Sequence, residues 1–238
     1  MAQMVYKTNL VVLAGGGDSP KWPQGKVMVY DDYQQKIIGE LTFSTVVKSI
    51  KASQDILAVI LYQKTYLFNL MDLTLIDCID TCENPLGHCE LAFKPTSTNQ
   101  EGITFVASLD LEKGSVRLRR MEDKTNEYVV PCHQESLSAL TLSETAEYFA
   151  TACTNGIYIR IWMWKEDATG KMDTPQSIFA IEIQNRDLLI TELQLSYNMK
   201  YLATTLQQTT TITPNEESAN SREEISSFVH VYGPINID

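Results

Sequence analysis

The stretch VVKSIKASQDILAVILYQKTYLFNLMDLTLIDCID, Val46 to Asp80, cuts itself into four short runs, VVKSIKA, ILAVILYQ, KTYLFNL and LIDCID, with breaks at Ser53, Gln63 and Met71. Each run is dense in aliphatic, β-branched and aromatic residues and too short for a buried helix, so the stretch reads as four strands joined by tight turns. The same grammar extends in both directions. One series of runs ends at Ile50, Phe93, Leu142 and Leu195, spaced 43, 49 and 53 residues apart. A second series (KVMVY, KTYLF, SVRLR, IRIW and VHVY) ends at Tyr30, Phe68, Arg119, Trp162 and Tyr232 and interleaves with the first. Helical spacing is hard to find anywhere, and the chain reads as all-β.

A four-stranded unit recurring at such intervals is the signature of a WD-type β-propeller, whose small sheets are stabilised by stacking on their neighbours. A β-sandwich of short, regularly spaced strands is the alternative. Leu57, Val59, Leu61, Leu67, Leu91, Phe105, Phe149, Ile159 and Ile161 sit at apolar positions of the most regular strands and are the expected core between sheets. Two polar stretches, Gly15 to Pro23 and Gln207 to Ile225, are expected as exposed connections, and EDATGKMDTP, Glu166 to Pro175, as a shorter turn. Neither composition nor rhythm marks a domain boundary, so residues 1–238 are expected to form a single propeller domain.

The stretch AGGGDSPKWPQGKVMVYDD, Ala14 to Asp32, resembles a hallmark of the PROPPIN family, the WIPI-type seven-bladed propellers that bind phosphoinositides in autophagy. The resemblance continues in order through LTFSTVVKSIKA (Leu41 to Ala52), DTCENPLGHCELAF (Asp80 to Phe93) and TAEYFATACTNGIYIRIW (Thr145 to Trp162). It implies counterparts of family blades two to five and three strands of blade six, about five blades in all. The first and seventh blades have no counterpart, which implies an incomplete or open ring.

The family's lipid sites flank a Phe-Arg-Arg-Gly motif between blades five and six, where arginine's planar fork grips phosphate oxygens. By resemblance that motif falls on Ile183, Gln184, Asn185 and Arg186, so the paired arginines are missing and Arg186 alone is basic. Residues 165–187 carry three basic and five acidic side chains, and the local field does not compensate. The family's Ser-Glu-Lys-Gly-Thr turn reads Cys153, Thr154, Asn155, Gly156, Ile157, which keeps the turn and loses two hydroxyls. Ser227 and His230 are the better remnants in blade six, with His230 equally readable as an ordinary strand residue. Arg117, Arg119 and Arg120 form a separate basic patch on the third strand of blade four, either anion-binding or a solvated edge; alternation puts Arg117 and Arg119 on one face and Arg120 on the other.

Composition narrows the function further. The chain has 19 Lys plus Arg against 30 Asp plus Glu, a formal charge of −11, which opposes nucleic-acid binding. Five cysteines without Cys-x-x-Cys spacing suit a reducing, cytoplasmic compartment, and no apolar stretch approaches the roughly 20 residues of a membrane-spanning helix. Gly25-Lys26 lacks the upstream glycine and the following Ser or Thr of a phosphate loop. Cys82, His88 and Cys89 match no common zinc spacing, and no metal or other cofactor is expected. None of the three histidines stands beside a convincing nucleophile or carboxylate pair, so there is no case for catalysis. The resemblance implies a non-enzymatic adaptor for phosphatidylinositol 3-phosphate or 3,5-bisphosphate, peripheral on phagophore or endosomal and vacuolar membranes. Its expected partner is a lipid-transfer protein of autophagy, which in WIPI-type relatives contacts blades two and three. The alternative is a lipid-blind scaffold that keeps only protein-binding surfaces.

Overall fold

The computed structural model describes residues 1–17, 19–95, 102–155, 158–166, 171–183, 188–212 and 222–235, and every regular element among them is a strand. The strands fall into two compact units, residues 1–130 and 131–238. In the first unit, one sheet holds β1 (Ala2–Met4), β2 (Leu10–Ala14), β3 (Lys26–Asp31) and β4 (Lys36–Thr42). The next holds β5 (Ser49–Ala52), β6 (Ile56–Ile60), β7 (Lys64–Asn69) and β8 (Leu75–Asp80), and the third β9 (Cys89–Pro95), β10 (Gly102–Leu109), β11 (Ser115–Arg120) and β12 (Asp123–Pro131). Each sheet is an antiparallel meander in chain order, because connections this short join only antiparallel neighbours.

The uninterrupted apolar run of β6 has a direct cause: the strand is buried on both faces. Leu57, Val59 and the following Leu61 pack with Val12, Val27 and Val29 of the first sheet, while Ile56, Ala58 and Ile60 pack with Cys89, Val106 and Met121 of the third. A sheet sandwiched between two others is stacked like a propeller blade, whereas a two-sheet sandwich would leave one face of each sheet in water. Of the expected core residues, Leu57, Val59, Leu61, Leu67, Phe105, Phe149, Ile159 and Ile161 are buried and Leu91 is partly buried.

The second unit holds a four-stranded sheet of β13 (Leu137–Leu142), β14 (Tyr148–Cys153), β15 (Tyr158–Met163) and β16 (Gln176–Glu182), and a three-stranded sheet of β17 (Leu188–Leu195), β18 (Leu202–Ile212) and β19 (Arg222–Tyr232). Ala150, Ala152, Ile159 and Ile161 of the first sheet meet Ile190, Leu193, Leu202 and Leu206 of the second. The β13–β14 and β17–β18 turns repeat one device. Ser143 and Ser196 each accept, through Oγ, the backbone N–H of the tyrosine that opens or precedes the next strand, Tyr148 at 3.1 Å and Tyr201 at 2.9 Å.

One expected loop is shorter than its polarity suggests. β18 and β19 run through much of the stretch from Gln207 to Ile225, pairing continuously from Gln207↔Ser227 to Ile212↔Arg222. Thr209 to Thr211 are polar, but their branched Cβ favours extended backbone, and the hairpin lengthens accordingly. Residues 213–221 lie outside the described residues. The connection that opens at Gly15 is largely exposed, as expected, and its first glycine is sterically required: a Cβ there would come within 2.4 Å of the Trp22 carbonyl oxygen. The glycine-rich run is thus a close backbone crossing.

Candidate functional site

The positions expected to touch lipid bracket the start of the three-stranded sheet. Gln184, Asn185 and Arg186 lie outside the described residues, as do Gly156 and Ile157 of the preceding turn. Their anchors are clear: Ile183 is buried in the core of the second unit, and Leu188 opens β17. Ser227 pairs with Gln207, which pairs with Leu189, so Ser227 stands two strands across from the point where the chain enters β17. His230 pairs with Thr204, three residues further along, and its ring centroid is 6.4 Å from that of Tyr232. Both residues are exposed, but an odd separation in a strand puts them on opposite faces, so the sheet does not converge them on one ligand.

The basic patch expected at Arg117, Arg119 and Arg120 is an ion-pair network. Arg117 donates from Nε to Asp110 Oδ1 at 2.8 Å and from Nη1 to Glu127 Oε1 at 2.8 Å. Arg119 donates to the same Glu127 oxygen at 3.1 Å and reaches across to Asp77 of β8, while Arg120 Nε lies 3.7 Å from Glu122. Alternation does put Arg117 and Arg119 on one face, and that face supplies Glu127 from the neighbouring strand. Burial alone would raise the Asp110 carboxyl, yet the Arg117 fork and the backbone N–H groups of Glu112 and Leu111 hold it below the usual carboxylate range. A phosphate would have to displace carboxylates already in place, so this cluster ties sheets together instead of presenting charge to a ligand. The signal that sequence reasoning passed over was Asp110, at the turn before β11.

A second buried polar group sits beside β14. The Thr151 hydroxyl accepts the indole N–H of Trp162 at 3.2 Å and lies 2.9 Å from His133 Nε2; the Trp162 ring stacks on Phe149 at 5.7 Å between centroids. Burial, and then the positive charge of Arg160, depress His133 to about 4, against a weaker opposing hydrogen bond from Thr151. The imidazole is therefore neutral at pH 7 and serves as a tether. Its consequence is a pH dependence of known sign. Between about 6.5 and 4 the unfolded chain binds a proton at this residue and the folded chain does not, so stability falls as pH falls through that window. Urea unfolding at pH 7 and pH 4.5 should show His133→Asn losing about 2–3 kcal/mol less than the unmodified chain; equal losses would remove His133 as the cause.

Burial pushes the Cys89 thiol up to about 12 and raises Cys78 and Cys82 as well, so these are not poised nucleophiles. Among the described residues no cluster of His, Cys, Asp and Glu is arranged to hold a metal ion. The loop from Thr81 to His88 is fixed by Asn84, whose side chain bonds both the N–H and the C=O of His88, at 2.7 and 3.0 Å. An apolar stripe on the outer strands of the first two sheets was not anticipated. Tyr33, Ile37 and Ile38 are exposed near β4, and Met71 and Leu75 near β8. The two groups adjoin, because Leu73 seats against Gly39: a Cβ on that glycine would lie 2.4 Å from Leu73 Cδ1.

Comparison with known proteins gives this arrangement a family. The PROPPIN family model matches residues 3–235. SVP1-like protein 2 of Schizosaccharomyces pombe is 30% identical over 164 residues, covering 68% of this chain and 43% of that protein. Autophagy-related protein 18e of Arabidopsis thaliana is 26% identical over 211 residues, covering 88% of this chain and 52% of that protein. The chain spans about half the length of these curated relatives. Among solved structures, Kluyveromyces lactis Hsv2 matches with a TM-score of 0.67 at 16% identity, covering 92% of this chain and 66% of that one. KlAtg21, solved in a complex with the coiled coil of AgAtg16, also gives 0.67 at 16% identity, covering 100% of this chain and 81% of that one. At such identity the structures speak for the fold, a WD-type β-propeller. With stacked four-stranded sheets, the glycine-rich crossing after β2 and a family match running almost from end to end, the chain belongs to the PROPPIN family.

Proposed function

We propose that residues 1–238 act as one propeller domain, a non-enzymatic autophagy adaptor that recognises phosphoinositide head groups weakly and protein partners through its outer strands. The observation that carries this reading is the family match over residues 3–235, together with relatives named as autophagy-related. Head-group contact is assigned to Arg186 with Gln184 and Asn185, aided by Ser227, which stands at the end of the sheet where the chain enters β17; His230, on the opposite face of β19, is assigned to a separate head group. Phosphatidylinositol 3-phosphate and the 3,5-bisphosphate are the head groups proposed. The working place is the cytoplasmic face of phagophore or endosomal and vacuolar membranes. The apolar stripe from Tyr33 to Leu75 suits a protein partner, and a lipid-transfer protein of the kind that WIPI-type propellers recruit is the one proposed; the net charge of −11 argues against nucleic acid.

Liposome flotation tests the lipid half. Without paired arginines, recovery on vesicles carrying phosphatidylinositol 3-phosphate should be faint at low salt. It should vanish at physiological ionic strength, where attraction is screened within about 8 Å. Tight, salt-resistant binding would show that the head group is held by other residues. Equal recovery on phosphatidylserine vesicles would show that no head group is recognised.

A further inference from the structure

The sequence sets a serine or threonine directly before a proline at Ser19-Pro20, Thr174-Pro175 and Thr213-Pro214, the last outside the described residues. The first two differ in how the backbone around them is held. Gly16, Gly17, Ser19, Pro20 and Lys21 are exposed, and among the described residues none between Gly15 and Pro23 makes a hydrogen bond to another. The segment is fastened at its ends, where Gly15 donates its N–H to the Lys26 carbonyl at 3.4 Å and Lys26 donates to that of Pro23 at 3.0 Å. Drawn out, the chain on either side of Ser19 reaches about 13 Å from these anchors, and glycine accepts the extended backbone without steric penalty. Thr174 is exposed too, but the chain beside it is pinned. Asp173 donates to the Lys165 carbonyl at 2.8 Å, Met172 is buried and bridged to Glu166, and β16 begins at Gln176.

We propose that Ser19 is a phosphorylation site for a proline-directed protein kinase. A kinase cleft reads its substrate as an extended strip several residues long, and this connection can supply one without breaking a sheet. Pro20 has a fixed φ and no N–H, so it selects kinases whose cleft asks for no hydrogen bond from the residue after the acceptor. In the transfer the bond from Ser19 Oγ to the γ-phosphorus of ATP forms and the bond from that phosphorus to the β–γ bridging oxygen breaks. ADP leaves with the electron pair, and the kinase's catalytic base takes the hydroxyl proton. The product carries a charge of about −1.5 to −2, two residues before Lys21. In the unmodified chain Lys21 Nζ lies 4.9 Å from the centroid of the half-buried Trp22 ring. A phosphate holds an ammonium through charge-assisted hydrogen bonds more strongly than a ring face does, so modification draws Lys21 off Trp22 and uncovers the indole. The connection, lysine-capped before modification, becomes anionic after it.

Incubation of the full chain with a purified kinase of the mitogen-activated class and magnesium ATP, followed by phosphopeptide mapping, tests this. Phosphate should appear on Ser19 and not on Thr174. Ser19→Ala should lose it from this connection, and Pro20→Ala, with the hydroxyl still present, should slow its incorporation at least about tenfold. Trp162 and Trp164 are buried, so acrylamide quenching of tryptophan fluorescence reports Trp22. Quenching should rise when the chain is phosphorylated, and in Lys21→Ala it should be high from the start. A Ser19 that takes no phosphate overturns the proposal, and equal phosphate on Thr174 overturns its structural basis. Full incorporation in Pro20→Ala overturns the proline direction, and unchanged quenching overturns the release of Trp22.

Discussion

Replacing Gln184 and Asn185 by arginine should tighten binding to vesicles carrying phosphatidylinositol 3-phosphate by about two to three powers of ten. A charge-assisted hydrogen bond to phosphate contributes about 1.5–3 kcal/mol, and the double replacement supplies two of them in the place where the family carries its paired arginines. Each 1.4 kcal/mol is tenfold in affinity. The gain should survive physiological salt, since bidentate contacts act at hydrogen-bond range, inside the screening length. Lysine at both positions should recover less, because a rotating ammonium cannot present two parallel donors. Flotation or surface titration across a salt series reads all three expectations. Unchanged binding by the arginine pair would mean that positions 184 and 185 do not meet the head group and would favour a propeller that works through proteins alone.

The fold was legible because blade formation is dictated by local pattern. Four apolar runs between Val46 and Asp80 became β5 to β8, and the run without alternation, ILAVI, became the strand buried on both faces. The stretch from Gln207 to Ile225 was misjudged because polarity and backbone preference conflict in threonine. The site was legible only in outline. Sequence alone identified Arg117 and Arg119 as neighbours on one face but not their occupancy, since Asp77 arrives from another sheet, more than 40 residues earlier in the chain. Ser227 and His230 were linked by resemblance, whereas strand alternation separates them. Resemblance transfers positions, but which positions converge depends on register.

The arginines of β11 therefore belong to stability, and the second large effect expected is there. Arg119 is only 8% exposed, bonds Glu127 of β12 and reaches Asp77 of β8, so one guanidinium joins two strands of one sheet to the sheet beside it. Arg119→Ala would leave Asp77 without its partner and Glu127 with Arg117 alone. Removing one member of a buried ion pair costs about 3–5 kcal/mol; Asp77 and Glu127 retain some access to water, which argues for the lower end, about 3 kcal/mol. Arg119→Leu combined with Asp77→Leu should cost less than the single Arg119→Ala, because no charge is then stranded. Arg117→Ala should cost less too, since the Arg117 side chain is itself nearer to solvent than that of Arg119, 22% exposed against 10%, and among the described residues it links no second sheet. Urea unfolding of the four proteins orders these costs. If Arg119→Ala shifts stability by less than about 0.5 kcal/mol, the network is a solvated edge, and its guanidiniums are available to an anion after all.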